Sequence, residues 1–261
     1  MQPVLFEIFG FPVNSYGVSK ALAAIAAAYL LAREFRRLGW DPERAWNIVM
    51  AATVLGFVGG KLYYLAENLG NLTPHHFGSS GFTWYGGLIA GILTVTVMAR
   101  RYGLPLGQFA GVAVAPLALA YGIGRIGCFL SGDGTYGKPS DLPWAMAFPN
   151  GTMPTLVPVH PTALYEAVLA FLFAALLWSV RTRMEPLAVF GLYAVLSGAS
   201  RFFVEEIRIN PEAWLGLTQP QLWSLLLAVL GVWLLIAKRH GGRDGDRSSE
   251  GSETRNISAR P

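Results

Sequence analysis

The sequence predicts an all-α polytopic membrane protein with seven transmembrane helices. Three observations carry that prediction. First, of 261 residues 53% are hydrophobic and only 14% charged, whereas soluble domains carry about a quarter charged residues. Second, seven apolar runs of about twenty residues follow one another, the length that crosses a bilayer's hydrocarbon core. Third, every second loop between them is rich in Lys and Arg. An ordinary soluble globule, a disordered chain and a disulfide-stapled secreted domain are excluded. Continuous rather than alternating runs exclude a closed barrel. The single cysteine, Cys128, permits neither an internal disulfide nor a multi-cysteine metal site.

The spans are expected at 14–33, 45–66, 82–99, 108–130, 161–180, 186–207 and 219–238. Arg33, Arg36, Arg37 and Arg44 follow the first, Arg100 and Arg101 the third, Arg181 and Arg183 the fifth. Six more basic residues follow the seventh, so 14 of the 20 lie on one face. Short basic loops stay cytoplasmic, which places the N-terminus outside and the C-terminus in the cytoplasm. No basic residue precedes Lys20, so no cleavable signal peptide is expected. Residues 1–240 form the membrane domain. From Gly241 to Pro261 the chain is too polar to bury a core and is expected to be a disordered cytoplasmic tail. Gly56, Gly59 and Gly60, then Gly86, Gly87 and Gly91, then Gly122, Gly124 and Gly127 supply small faces for helix packing. No internal repeat of the transporter kind is visible.

Six basic residues lie away from the cytoplasmic loops: Lys20, Lys61, Arg125, Lys138, Arg201 and Arg208. Lys20, Lys61, Arg125 and Arg201 fall inside spans, all at one depth, roughly 6–10 Å into the outer leaflet at 1.5 Å per residue. A charge within a span costs a few kcal/mol unless it is paired or lines a wet cavity. One account is snorkelling with ion pairs to Glu67, Glu166, Glu205 and Glu206, which lie near the same level. The other is a ligand. Arg125 stands among glycines in Tyr121-Gly-Ile-Gly-Arg-Ile-Gly-Cys-Phe129, where side-chain bulk is stripped away, and guanidinium groups bind phosphate as a planar fork. That favours a phospholipid headgroup site. Tyr16, Tyr85, Asp133 and His160 gather at the same face. Trp84 and Trp144 belong to its aromatic belt.

At this point the residues resemble a known family, the bacterial phosphatidylglycerol–prolipoprotein diacylglyceryl transferases. Gly124-Arg125-Ile-Gly127-Cys-Phe-Leu-Ser-Gly132-Asp133, followed by Tyr136-Gly137, is similar to the family signature. So are Tyr16-Gly17, Gly59-Gly60-Lys61, Tyr85-Gly86-Gly87-Leu88, His160-Pro161-Thr162 through Tyr165-Glu166, and Arg201-Phe-Phe-Val-Glu205 followed by Arg208. These blocks run in the family's order from about residue 14 to about residue 230.

The resemblance implies transfer of the diacylglyceryl group of phosphatidylglycerol to the lipobox cysteine of an exported prolipoprotein, with release of glycerol phosphate. It implies a bacterial inner-membrane location with the active site toward the outer leaflet. By matching position, Arg125 and Arg201 hold and neutralise the phosphate. Tyr16, Lys61, Asp133, Gly137, Glu205 and Arg208 shape the headgroup pocket. Tyr85 and His160 are the two candidates for a base. Two departures stand out: Tyr85 where many members have His, and Cys128, Ser131 and Asp133 where the signature has Asn, Asn and Glu. Cys128 is read as a small buried residue or, alternatively, a nucleophile. Other readings are the same fold acting on another acceptor, and a protein that binds or moves anionic lipid without chemistry. No cofactor, metal or nucleic-acid partner is expected, and the protein is expected to be a monomer. His75 and His76 are adjacent in a loop but have no third ligand at suitable spacing.

Overall fold

In the computed structural model, residues 1–78 and 81–237 are described. The expected tail, with the basic residues from Lys238 to Arg260, lies outside them. Among the described residues are seven long helices, each starting and stopping within a few residues of its apolar run: α1 (Ser15–Arg37), α2 (Pro42–Glu67), α3 (Trp84–Arg101), α4 (Leu106–Ser131), α5 (Thr162–Val180), α6 (Pro186–Glu206) and α7 (Gln219–Ala237). Six of them are long and apolar enough to cross a membrane. The seventh, α3, is 18 residues long and spends its last turn on Arg100 and Arg101.

Local chemistry sets the helix ends. Asp41 caps α2, its carboxylate accepting from the Glu43 amide at 2.9 Å, and Pro42 occupies the first turn, where its missing N–H costs nothing. Arg36 and Arg37 close α1, and Arg100 and Arg101 close α3, where cations meet the negative end of the helix dipole. α4 ends at Gly132 in the left-handed conformation (φ 58°), which glycine adopts without a Cβ penalty. Pro116 sits midway along α4 and removes the bond that the Val112 carbonyl would have received.

α4 is the centre of the bundle, packed against α1, α5 and α6, while α2 packs chiefly on α3. The interior is built of small side chains. Ala28, Ala32, Ala45, Ala115, Ala167 and Ala194 are buried, joined by Phe35, Ile48, Leu177 and Val189. The large aliphatics point the other way: Leu22, Ile25, Ile92, Leu93, Leu172, Leu226 and Val229 are all more than half exposed. A soluble protein could not carry that apolar mantle. In a bilayer no hydrophobic force separates helix from lipid, and close van der Waals contact between small residues holds helices together. The α2–α3 interface shows it: a Cβ on Gly59 would lie 2.8 Å from the Gly86 carbonyl oxygen, and one on Gly86 2.4 Å from that of Gly59. Gly91, by contrast, faces open space.

Among the described residues, three antiparallel hairpins add β-structure to the expected all-α architecture: β1 (Val4–Ile8) with β2 (Phe11–Asn14), β3 (Met146–Phe148) with β4 (Thr155–Val159), and β5 (Glu212–Trp214) with β6 (Leu217–Thr218). They precede α1, join α4 to α5 and join α6 to α7, so connectivity puts them at one end of the bundle. The first is tied down by Ser15, whose amide donates to the Pro3 carbonyl at 2.9 Å, and by Gln2, whose amide donates to Leu130 at 3.1 Å.

Candidate functional site

The same end holds the buried charges. Counted from the observed helix ends, Lys20 is five residues after Ser15, Lys61 six before Glu67, Arg125 six before Ser131 and Arg201 five before Glu206. They share a depth of roughly 8–9 Å at 1.5 Å per residue. They do not share a place. Arg125 and Arg201 face each other across α5, whereas Lys61 on α2 donates to the carbonyls of Gly78 (2.8 Å) and Gly81 (3.4 Å) and sits over the rings of Tyr64 and Phe82. Its ammonium thus ties down the loop before α3.

Glu166, in the second turn of α5, is the hub. Its Oε2 lies 2.8 Å from Arg125 Nε and 3.7 Å from Arg208 Nη1, and its Oε1 accepts from Arg201 Nη1 at 2.8 Å. Arg125 Nε carries one hydrogen and directs it to Tyr121 Oη at 2.9 Å, so its contact with Glu166 is electrostatic. The guanidinium also lies over the Tyr121 ring, 5.0 Å from its centroid. Glu205 Oε2 is 2.7 Å from Arg201 Nη2 and 3.9 Å from Arg208 Nε. Its Oε1 accepts from Thr218 Oγ1 at 3.0 Å and from Asn210 Nδ2 at 2.5 Å. Glu166 and Glu205 are 5% and 2% exposed, so neither can be stabilised by bulk water. Among the described residues, three arginines against two glutamates leave this cluster one positive charge over. Burial, with Arg201 alongside, lowers the pKa of Arg208 from its ordinary value. The crowding of cations is therefore paid in electrostatic energy.

Glycines bring α1 up to this cluster. A Cβ on Gly127 would lie 2.5 Å from Ser19 Cβ, and one on Gly124 3.3 Å from Lys20 Nζ. Tyr16 consequently stands within electrostatic reach of Arg125, Cys128 and Asp133, with Lys20 over its ring at 4.9 Å. Cys128 is buried; its Sγ is 4.0 Å from Arg125 Nη1, and its carbonyl accepts from the Asp133 amide at 3.4 Å. Asp133 in turn accepts from the amide and hydroxyl of Thr135 at 3.1 and 2.7 Å. Gly137 is a joint: its amide donates to the His160 carbonyl at 2.8 Å and it bridges to Arg208. A Cβ there would meet the Ile207 carbonyl oxygen at 2.4 Å and Thr162 at 2.9 Å. Lys138 extends the joint, its Nζ donating to the Glu206 carbonyl at 2.7 Å. His160 Nδ1 is 3.4 Å from Tyr165 Oη, which also accepts from Trp144 Nε1 at 2.7 Å. Tyr85 opens α3 with its ring edge-to-face on Trp84.

Of the four glutamates considered as ion-pair partners, Glu166 and Glu205 make those pairs. Glu67 accepts from Thr83 Oγ1 at 2.9 Å, and Glu206 from Gln221 Nε2 at 2.5 Å. The sequence marks Glu166 as an ion-pair partner at this depth but not as a residue of the headgroup pocket. Its signal was there: a carboxylate one turn inside an apolar span is as costly as the arginines.

A bundle of apolar helices with a guanidinium–carboxylate cluster at one end defines a polytopic membrane protein with a buried charged site. Comparison with known proteins gives the particular kind. A model of the prolipoprotein diacylglyceryl transferase family matches residues 3–237. The phosphatidylglycerol–prolipoprotein diacylglyceryl transferase of Clostridium tetani is 34% identical over 247 residues, 92% of this chain and 98% of that protein. The protein of the same name from Nitratidesulfovibrio vulgaris is 35% identical over 267 residues, 95% of this chain and 98% of that one. The chain belongs to the prolipoprotein diacylglyceryl transferase family, and it is a membrane transferase.

Proposed function

We propose that the protein transfers the diacylglyceryl group of phosphatidylglycerol to the lipobox cysteine of a prolipoprotein, at the Arg125–Arg201–Glu166 cluster. The acceptor thiolate attacks the glyceryl carbon that bears the phosphate. A C–S bond forms and the C–O bond breaks. Its electron pair leaves on the phosphate oxygen, giving glycerol phosphate and a thioether. Arg125 and Arg201 hold the phosphodiester and take up the charge that grows on it as it leaves. Preorganised donors of this kind contribute about 10²–10³ each in rate. Tyr16, Asp133, Gly137, Glu205 and Arg208 shape the headgroup pocket around them.

The observation that supports this reading is the charge count. A cluster with one positive charge over is matched by the single negative charge of a phosphodiester. Nearby guanidiniums favour an acceptor thiolate over its thiol, so a weak base is enough. His160, in the chain just before α5 and joined to Gly137, is our choice over Tyr85 for that role.

The spans number seven, with the N-terminus outside and the C-terminus in the cytoplasm of a bacterial inner membrane. Supporting this, Arg36 and Arg37, Arg100 and Arg101, and Arg181 and Arg183 all fall at the end of the bundle opposite the cluster. The site then faces the outer leaflet, where an exported peptide arrives, and the protein acts as a monomer.

The test is purified protein in phosphatidylglycerol vesicles with a synthetic lipobox peptide, wild type beside Arg125→Ala and Arg201→Ala. The peptide should gain the mass of one diacylglyceryl group as glycerol phosphate appears, and both variants should lose this while still folded. Unimpaired variants would remove the phosphate roles, and an unmodified peptide with wild type would remove the acceptor.

A further inference from the structure

A second charged cluster lies at the opposite end of the bundle. Glu34, near the end of α1, is 1% exposed. Its Oε2 accepts from Arg37 Nε and Nη2 at 2.9 and 2.7 Å, and its Oε1 from Arg181 Nε at 2.7 Å. Arg181 also donates to the Trp178 carbonyl and lies over the Trp178 ring, 3.7 Å from its centroid. Within this trio one carboxylate thus answers two guanidiniums, which leaves the three side chains with one positive charge. Of the guanidinium nitrogens, Arg37 Nη1 and Arg181 Nη2 take no part in these bonds and keep their hydrogens to donate.

Beside this clamp is a cavity of about 170 Å³, lined by Arg37, Gln108, Gly111, Arg181, Thr182 and Pro186 among others. Gly111 lets α6 close in: a Cβ there would lie 2.2 Å from the Pro186 carbonyl oxygen. The cavity therefore meets the first turn of α6, whose amides carry the positive end of a helix dipole. The Gln108 amide and the Thr182 hydroxyl add neutral donors. On α4, Gln108 is seventeen residues from Arg125, roughly 25 Å at 1.5 Å per residue, so this is a separate place from the transferase site.

We propose that this cavity binds a phosphate group. It belongs either to an anionic lipid of the leaflet at this end or to free phosphate. A purely structural clamp between α1 and α5 needs one arginine on Glu34. The second arginine, the unused donors and the polar cavity beside them fit an anion that completes the charge balance.

The experiment is backbone hydrogen exchange on the full-length protein in phosphatidylcholine nanodiscs, read across residues 182–189. One arm adds sodium phosphate against sodium chloride of equal ionic strength. The other exchanges the discs for ones that also contain phosphatidylglycerol. Slower exchange in the first arm identifies free phosphate as sufficient, and slower exchange only in the second identifies the lipid headgroup. At ten times Kd the slowing should reach about tenfold. Gln108→Glu, which sets a carboxylate in the cavity without removing a partner of Glu34, should abolish it, and Arg37→Gln should weaken it. No slowing in either arm overturns the proposal. So does slowing that persists in Gln108→Glu, because it would then originate at the other end of the bundle.

Discussion

Arg201 Nη1 donates to Glu166 Oε1 at 2.8 Å, joining α6 to α5 at the level where Arg125 reaches the other oxygen of the same carboxylate. It is the carboxylate the two arginines share, since Arg201 is otherwise held by Glu205 and Arg125 by Tyr121. Two guanidiniums approaching a common anion repel one another, and a buried carboxylate between them lowers that cost.

Glu166→Gln should therefore abolish transfer and also destabilise the fold by about 3 kcal/mol, the usual scale for removing one partner of a buried ion pair. Thermal unfolding in detergent and the peptide mass-shift assay measure the two effects. A variant that keeps full stability would show the three arginines to be independent of their shared anion.

Arg201→Lys keeps the charge but not the fork that reaches Glu166 and Glu205 at once. Lysine is a compact point charge and cannot make both contacts. Turnover should fall roughly 10²-fold, with a smaller change in the lipid concentration needed for half-maximal rate. Equal activity would mean that charge alone matters.

Gly127→Ala should separate α1 from α4, because its Cβ would come within 2.5 Å of Ser19. Tyr16 would then move away from Arg125, and activity should drop at least tenfold. Gly17→Ala, with open space around its Cβ, is the matched control and should be near wild type. Comparable losses in the two would exclude packing as the cause.

Cys128→Ala should keep activity within about tenfold of wild type, since the thiol is buried and makes only a long 4.0 Å contact with Arg125 Nη1. An alkylating reagent should leave the wild type active for the same reason. Complete loss in Cys128→Ala, with a lipid adduct on the wild-type thiol, would instead make Cys128 the nucleophile.

The helices were legible because their determinant is one-dimensional: twenty apolar residues in a row, punctuated by Arg36, Arg37, Arg100 and Arg101. The depth of Arg125 and Arg201 was legible for the same reason, since depth is rise times residue number. Azimuth was not. Lys61 lies as deep as Arg125, yet it turns to Gly78 and Gly81, and only the packing of α2 on α3 decides that. The hairpins escaped notice because strands as short as Met146–Phe148 carry no periodic signal. The convergence of Arg125, Arg201 and Arg208 on Glu166 depends on α4, α5 and α6 meeting, which no spacing within one helix encodes.

Pro116 gives α4 a built-in fulcrum. It stands almost midway between Gln108 and Arg125, where the missing N–H leaves the rod easiest to bend. Any change of tilt there swings the two tips in opposite senses. One tip carries the Arg125 guanidinium, and the other forms a wall of the Glu34 cavity. The two ends of the molecule are thus placed on a single lever.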